Sequence, residues 1–295
     1  MIDYPLREKL PHYLVLTRLN RPIGIYLLLW PMLWALWFAA LGVPDLSILV
    51  IFVLGTILTR SAGCAINDYA DRHLDAHVLR TSQRPLATGA LTPAEALAAT
   101  AILMLLAFGL VLLTNTLTIM MSFVALALAV IYPFTKRVTY WPQAFLGFAF
   151  AFAIPMAFAA QTNTVPLLAW VIFLAAVIWA IAYDTIYSIA DREFDIKMGM
   201  KSTAILFGDN ELRIVFALQL LVLFIMYLVG LTTERGSIYN LSLIGSVFYI
   251  VYQNRITQTR DPVQCIKAFL NNHYIGMTVF AGIVLDFIIN PSTVS

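Results

Sequence analysis

Nine apolar stretches, nearly empty of charge, run through the chain. A stretch of about 20 such residues is the length of a helix that crosses a bilayer. The first covers residues 23–41 and the second 46–66, interrupted only by Arg60. The run between Glu95 and Lys136 holds two, divided at Thr114-Asn115-Thr116. The run between Arg137 and Asp184 holds two more, divided at Gln161-Thr162-Asn163-Thr164-Val165-Pro166. Residues 214–231, 237–252 and 274–289 complete the set. Composition agrees. Charged residues are 12% of the chain, about half the share in soluble domains, too few to cover a soluble surface. A net charge of +2 without a basic run argues against a nucleic-acid partner, and two cysteines exclude a disulfide scaffold. The expectation is an all-α, polytopic membrane protein in a single intramembrane domain over residues 1–295.

Basic residues are retained on the cytoplasmic side. With the N-terminus inside, nine spans place Arg7, Lys9, Arg18, Arg21, Arg60, Arg72, Arg80, Arg84, Lys136, Arg137, Arg192, Lys197, Lys201, Arg213, Arg255, Arg260 and Lys267 there. Only Arg235 falls outside. The C-terminus is then periplasmic. No cleavable signal peptide is expected, because the first run is followed by Gly42-Val43-Pro44-Asp45 and not by a small-residue cleavage site.

The 16 carboxylates cluster. Asp68, Asp71 and Asp75 follow the second span; Asp184, Asp191, Glu193 and Asp195 follow the sixth. On a helix, Asn67, Asp71 and Asp75 fall at i, i+4 and i+8 and share one face. Asp191 and Asp195 repeat that spacing, with Asp184 seven residues earlier on nearly the same face. Asp71-Arg72 aligns with Asp191-Arg192, and Asp75 with Asp195. The recurrence predicts two four-helix units, each with its motif after its second helix, plus a ninth helix, around a central cavity. Like charges at this spacing repel, so the stripes make sense with cations between them. Oxygen ligands without paired soft ones point to a hard ion, Mg2+ ahead of Ca2+. Mg2+ bridges carboxylates to substrate phosphates. With Arg72, Arg80, Arg84, Lys136, Arg137, Arg192 and Lys201 close in sequence, a diphosphate suits the set. The bland alternative is solvated loop acids balanced by neighbouring bases. His73 and His77 also stand four apart but have no third soft ligand nearby. Arg60 and Asp184 lie at deeper positions, where ionisable groups are functional candidates by default; they could line a pocket, pair with each other, or both.

From Asn67 to Gly89 the sequence reads N-x3-D-x2-L-D-x2-V-x-R-T-x2-R-x4-G. This resembles the signature of the UbiA superfamily of intramembrane aromatic prenyltransferases, and the likeness continues at Arg21-Pro22-Ile23-Gly24, Tyr132-Pro133-Phe134-Thr135-Lys136-Arg137 and Lys201-Ser202-Thr203-Ala204-Ile205-Leu206-Phe207-Gly208. Within that family it is most similar to bacterial members acting on 4-hydroxybenzoate in ubiquinone synthesis. The resemblance implies nine helices around a cavity open to lipid, a polyprenyl diphosphate donor, 4-hydroxybenzoate as acceptor, Mg2+ as cofactor and a bacterial inner-membrane location, with no obligate protein partner evident. It assigns Asn67, Asp71, Asp75, Asp191 and Asp195 as metal ligands, with Asp68 in support. The second motif has Tyr187-Ser188 where the first has Asn-Asp, so fewer direct ligands are expected there.

The implied chemistry is electrophilic aromatic substitution. The diphosphate departs, an allylic cation forms, and the phenol ring attacks through the carbon ortho to its hydroxyl. Asp71, Asp75, Asp191, Asp195, Arg72 and Arg137 are the candidate catalytic groups. Arg21, Arg60, Asp68, Arg80, Arg84, Tyr132, Lys136, Asp184, Arg192 and Lys201 are the candidate substrate contacts. Arg60, Arg72 and Arg137 compete for the acceptor carboxylate; Tyr132, Phe148 and Phe152 could face the cation. Residues 147–160, rich in small and aromatic side chains, suit the tail. Two alternatives stay open: a related prenyltransferase using homogentisate, dihydroxynaphthoate or haem, and a divalent-cation or anionic-solute transporter.

Overall fold

The computed structural model of the protein describes residues 6–75 and 81–291. Every regular element among them is helical: α1 (Leu6–Leu16), α2 (Ile23–Ala40), α3 (Leu46–Asp75), α4 (Pro93–Val111), α5 (Thr116–Thr135), α6 (Pro142–Ala151), α7 (Ala153–Thr162), α8 (Leu167–Lys197), α9 (Thr203–Phe207), α10 (Glu211–Thr232), α11 (Ser237–Thr257) and α12 (Pro262–Ile289), with a 3-10 turn at Gly208–Asn210. The fold class is therefore all-α. Eight helical segments among the described residues are long and apolar enough to cross a membrane. The ninth expected span is the helix α11, 21 residues long. It lacks that apolarity because Asn240, Ser242, Ser246 and Gln253 interrupt it.

Helix starts follow local chemistry. Thr92 and Glu95 form a capping box ahead of α4, with Pro93 in its first turn. Asn115 caps α5 by accepting from the Thr118 amide at 2.9 Å, and its own amide donates to the Ala159 carbonyl in α7 at 2.6 Å. Asp261 caps α12, again ahead of a proline. The fifth span is broken into α6 and α7 at Phe152. Pro155 has no amide hydrogen to give the turn before it, which accounts for the break.

The last span begins earlier than its sequence suggests, at Pro262 and not near 274. Asn271-Asn272-His273 looks like a polar boundary, yet Asn272 is buried. Its Oδ1 accepts from Trp179 Nε1 and from Gln219 Nε2, each at 3.3 Å. Gln219 Nε2 also donates to Gln253 Oε1 at 2.7 Å, and Gln253 Nε2 to Asn271 at 2.9 Å. Side chains from α8, α10, α11 and α12 thus satisfy one another, which lets polar residues stay inside an apolar bundle.

By contacts the chain forms two compact units, one of residues 1–26 and 50–114, the other of 27–49 and 115–295. This division does not follow the four-helix period of the sequence. In the first unit, Leu16, Ala65, Leu91 and Ala96 make a buried cluster, with Tyr13 and Tyr69 against it. In the second, Ala182, Ile186 and Ile189 of α8 pack with Ala204, Leu212, Val215, Cys265 and Ala268.

At the far end of α12 from Asp261, Asp286 is fully buried and ion-paired with Arg235 at 3.7 Å. Its two oxygens accept from the Gly236 amide, each at 3.0 Å, so a side chain of α12 caps α11. Arg235 also lies 3.9 Å over the Phe287 ring. The one basic residue that breaks the charge asymmetry is thus buried beside an acid.

Candidate active site

Among the helices longer than the hydrocarbon core of a bilayer is thick, two carry the acid stripes. α3 has 30 residues and α8 has 31, each about 45 Å long at 1.5 Å per residue, against about 30 Å of hydrocarbon. Their apolar parts are used up first, so the acid-bearing turns continue as helix beyond the hydrocarbon. The helical condition behind both stripes therefore holds: Arg60, Asn67, Asp71 and Asp75 share α3, and Asp184, Asp191 and Asp195 share α8.

On α8 the burial pattern fixes the direction of the acids. Ala182, Ile186 and Ile189 face the apolar cluster. At about 100° per residue, Asp184, Asp191 and Asp195 fall on the opposite side, where each is half-buried. The helix is held from behind: the Thr185 and Thr203 hydroxyls lie 2.6 Å apart, and Gln143 Oε1 accepts from the Thr203 amide at 3.0 Å. The next residues tie two loops together. The Lys201 amide donates to the Lys136 carbonyl at 3.0 Å, and Lys201 Nζ donates to the Val138 carbonyl at 2.9 Å, with the Tyr140 ring 5.3 Å away. Lys136 and Lys201 are thereby neighbours; one of the three donors of Lys201 is committed to Val138.

On α3, Asp71 is buried at 8% exposure and Asn67 is half-buried. The side chain of Asp75 and all of Arg80 and His77 lie outside the described residues. Asp68 is also buried. Its two oxygens accept from Arg18 Nη2 at 2.9 and 3.1 Å, and Arg84 Nη1 is 3.0 Å away. Its carboxylate is thus engaged by those two arginines. Arg18 stands at φ 58°, in the left-handed region, where glycine is the usual choice and another residue costs about 1–2 kcal/mol. The guanidinium at that position reaches Asp68.

The second unit repeats this device. Glu211, fully buried at the start of α10, accepts from Arg260 Nε at 2.6 Å and has Arg192 Nη1 at 4.0 Å. Arg260 also stands in the left-handed region, at φ 55°, and Glu211 beside it holds its guanidinium above its ordinary pKa. Arg192, adjacent to Asp191, is turned toward α10 and also reaches the Gly208 carbonyl.

The remaining candidates are spread over both units. Arg72 folds back on its own helix, donating to the Tyr69 carbonyl at 2.8 Å and lying 4.4 Å over the Tyr69 ring. Arg21 and Arg137 are exposed, and Tyr132 is half-buried. Phe148 and Phe152 join Phe173 and Trp170 in an aromatic group. Arg60 is half-buried within α3, with its guanidinium against Gly24 of α2. For the site, sequence patterns point to none of Arg18, Glu211 and Arg260, and to Gly24 only through the family resemblance at Arg21-Pro22-Ile23-Gly24.

Among the described residues no group of three or more His, Cys, Asp or Glu side chains gathers closely enough to hold a metal. Mg2+ ordinarily takes one or two carboxylates and fills its other positions with waters and substrate phosphate oxygens. The donors here, carboxylate and amide oxygen, match that ion.

The UbiA prenyltransferase family profile matches residues 28–277. A 4-hydroxybenzoate octaprenyltransferase of Hahella chejuensis is 54% identical over 97% of this chain and 95% of its own. An apo UbiA homolog of Aeropyrum pernix shares the fold with a TM-score of 0.78 at 24% identity, over 89% of this chain and 98% of that one. A UbiA homolog of Archaeoglobus fulgidus, bound to GPP and Mg2+, gives 0.70 at 22%, over 92% and 99%. Matched along most of its length by the family profile and along nearly all of it by such a relative, the chain belongs to the UbiA prenyltransferase family.

Proposed function

We propose that the protein transfers an octaprenyl group from its diphosphate to the ring carbon of 4-hydroxybenzoate ortho to the hydroxyl, a step of ubiquinone synthesis. The acceptor and the chain length follow the activity named for relatives more than half identical over nearly their whole length. The observation that carries the chemistry is the pair of overlong helices, each bearing carboxylates four residues apart at its polar end.

Asn67, Asp71 and Asp75 on α3, and Asp191 and Asp195 on α8, are the groups that would hold Mg2+. The ion supplies Lewis-acid neutralisation of the charge on the departing diphosphate. Arg21, Arg72, Arg80, Arg84, Lys136, Arg192 and Lys201 add fixed positive charge for the same anion, and Asp68 keeps Arg84 in place for it. Arg60 is the cation for the acceptor carboxylate: it lies farther into the apolar part of α3 than the acids, whereas Arg72 turns onto its own helix and Arg137 is exposed. Asp184 and Tyr132 are further candidate contacts, the acid as a carboxylate deeper on α8 than Asp191 and Asp195, the ring as a face for the allylic cation. Apolar surroundings exclude water, which would trap that cation as an alcohol. All of residues 1–295 serve as one prenyltransferase domain. The chain lies in a bacterial inner membrane with its N-terminus cytoplasmic and its C-terminus periplasmic, a reading supported by its basic residues.

The test is a competition. Purified protein in liposomes receives Mg2+, octaprenyl diphosphate and equal amounts of 4-hydroxybenzoate, homogentisate and dihydroxynaphthoate. The prenylated 4-hydroxybenzoate mass should dominate. Dominance of another adduct overturns the acceptor, and metal flux into the liposomes without any adduct overturns the enzyme.

A further inference from the structure

Glycine inside a helix costs about 0.5–1 kcal/mol relative to alanine, so a helical glycine in close contact calls for a cause. The first unit holds five glycines: Gly24, Gly55, Gly63, Gly89 and Gly109. A Cβ added at the last four would meet nothing within 4 Å. Gly24 differs. A Cβ there would lie 2.6 Å from Arg60 Nη2 and 2.8 Å from Arg60 Cζ. Gly24 is itself buried, in the first turn of α2. Its missing side chain is therefore the space in which the Arg60 head group lies. Gly24 is not in the left-handed region, so backbone conformation does not account for the glycine.

We infer that Gly24 is a positioning residue for the aromatic acceptor: it sets where the Arg60 guanidinium stands, and so how the acceptor carboxylate is held. This rests on the proposal that Arg60 receives that carboxylate. Ordinary van der Waals contact begins near 3.4 Å, so a methyl at position 24 pushes the guanidinium by about 1 Å. The guanidinium is the far end of a flexible side chain, and so it gives way while the helices stay in place. Bidentate pairing of guanidinium and carboxylate depends on geometry, and a misplacement of about 1 Å can cost up to about 100-fold in rate.

The experiment is a double-mutant cycle of Gly24→Ala and Arg60→Gln. Initial rates are measured against 4-hydroxybenzoate and, separately, against octaprenyl diphosphate, with thermal unfolding as control. Gly24→Ala should raise the acceptor KM by about 10-fold or more and change the donor KM by less than about two-fold, an outcome that a packing role would not give. In the Arg60→Gln background, where the side chain is shorter, Gly24→Ala should change the acceptor KM little. If Arg60→Gln raises the acceptor KM while Gly24→Ala does not, or if Gly24→Ala acts equally in both backgrounds, the role of Gly24 fails and that of Arg60 survives. An ordinary acceptor KM in Arg60→Gln removes both. Should Gly24→Ala fail to fold, recovery of folded protein in the double variant supports the contact, and no recovery overturns it.

Discussion

Asp286 is a fully buried acid in a membrane helix, a position that ordinarily signals function; its surroundings indicate a structural lock. Consider Asp286→Asn. The shape is kept, and one acceptor remains for the Gly236 amide. The negative charge is lost, and Arg235, whose side chain is only 3% exposed, stays behind without its acid. Removing one member of a buried pair costs about 3–5 kcal/mol, mostly because the survivor is left uncompensated. For a chain of this size about 2–4 °C of unfolding midpoint goes with each kcal/mol, so the midpoint should fall by roughly 6–20 °C. Asp286→Ala should fall further, because the α11 cap is lost as well, worth about 0.5–2 kcal/mol. Pairing Asp286→Asn with Arg235→Gln should recover much of the loss, since neutralising both partners is far less costly than stranding one. The assay is fluorescence-detected unfolding in detergent, with initial rates taken well below the midpoint, where Asp286→Asn should keep its activity within about two-fold. An unchanged midpoint, or a folded variant without activity, refutes the structural lock.

Activity should vanish in excess EDTA and return with Mg2+; full turnover in the chelator contradicts the oxygen-ligand assignment. Asp71→Ala and Asp191→Ala should each lower kcat by about 100- to 1,000-fold, the scale of one electrostatic catalytic group, with the unfolding midpoint little changed. Near-normal rates in either folded variant break the two-stripe scheme. Asp68→Asn should act differently: it releases Arg18 and Arg84 and should lower stability by about 3–5 kcal/mol and raise the donor KM, so a stable variant with ordinary donor KM removes the clamp. A single cysteine at position 295, in a background without the two buried native cysteines Cys64 and Cys265, should label only from the periplasmic side. Labelling from the cytoplasm means that the number of spans is even.

Local periodicity made much of this legible. The apolar runs locate the membrane helices, and the i, i+4 spacing alone puts Asp71 and Asp191 on helix faces. Contacts between distant segments left no such trace. Asp68 and Arg18 are fifty positions apart, and Gly24 meets Arg60 from another helix; nothing periodic links either pair. Polar content misled in one place. Asn271-Asn272-His273 stand just before position 274, where the apolar run begins, but Trp179, Gln219 and Gln253, from three other helices, supply the partners that let α12 run through them. The break at Phe152 was obscured because apolar residues stand on both sides of it; Pro155 was its only local mark.

Ring deuterium gives the most direct measurement of the transfer itself. Supplied with 4-hydroxybenzoate deuterated at both carbons ortho to the hydroxyl, with Mg2+ and octaprenyl diphosphate, the protein should form a product that has lost one deuterium and kept the other. The new bond is then to the ortho carbon, and the ring has regained aromaticity by losing that position's hydrogen. A product retaining both deuterium atoms places the prenyl group on oxygen or elsewhere and contradicts electrophilic substitution at the ortho carbon.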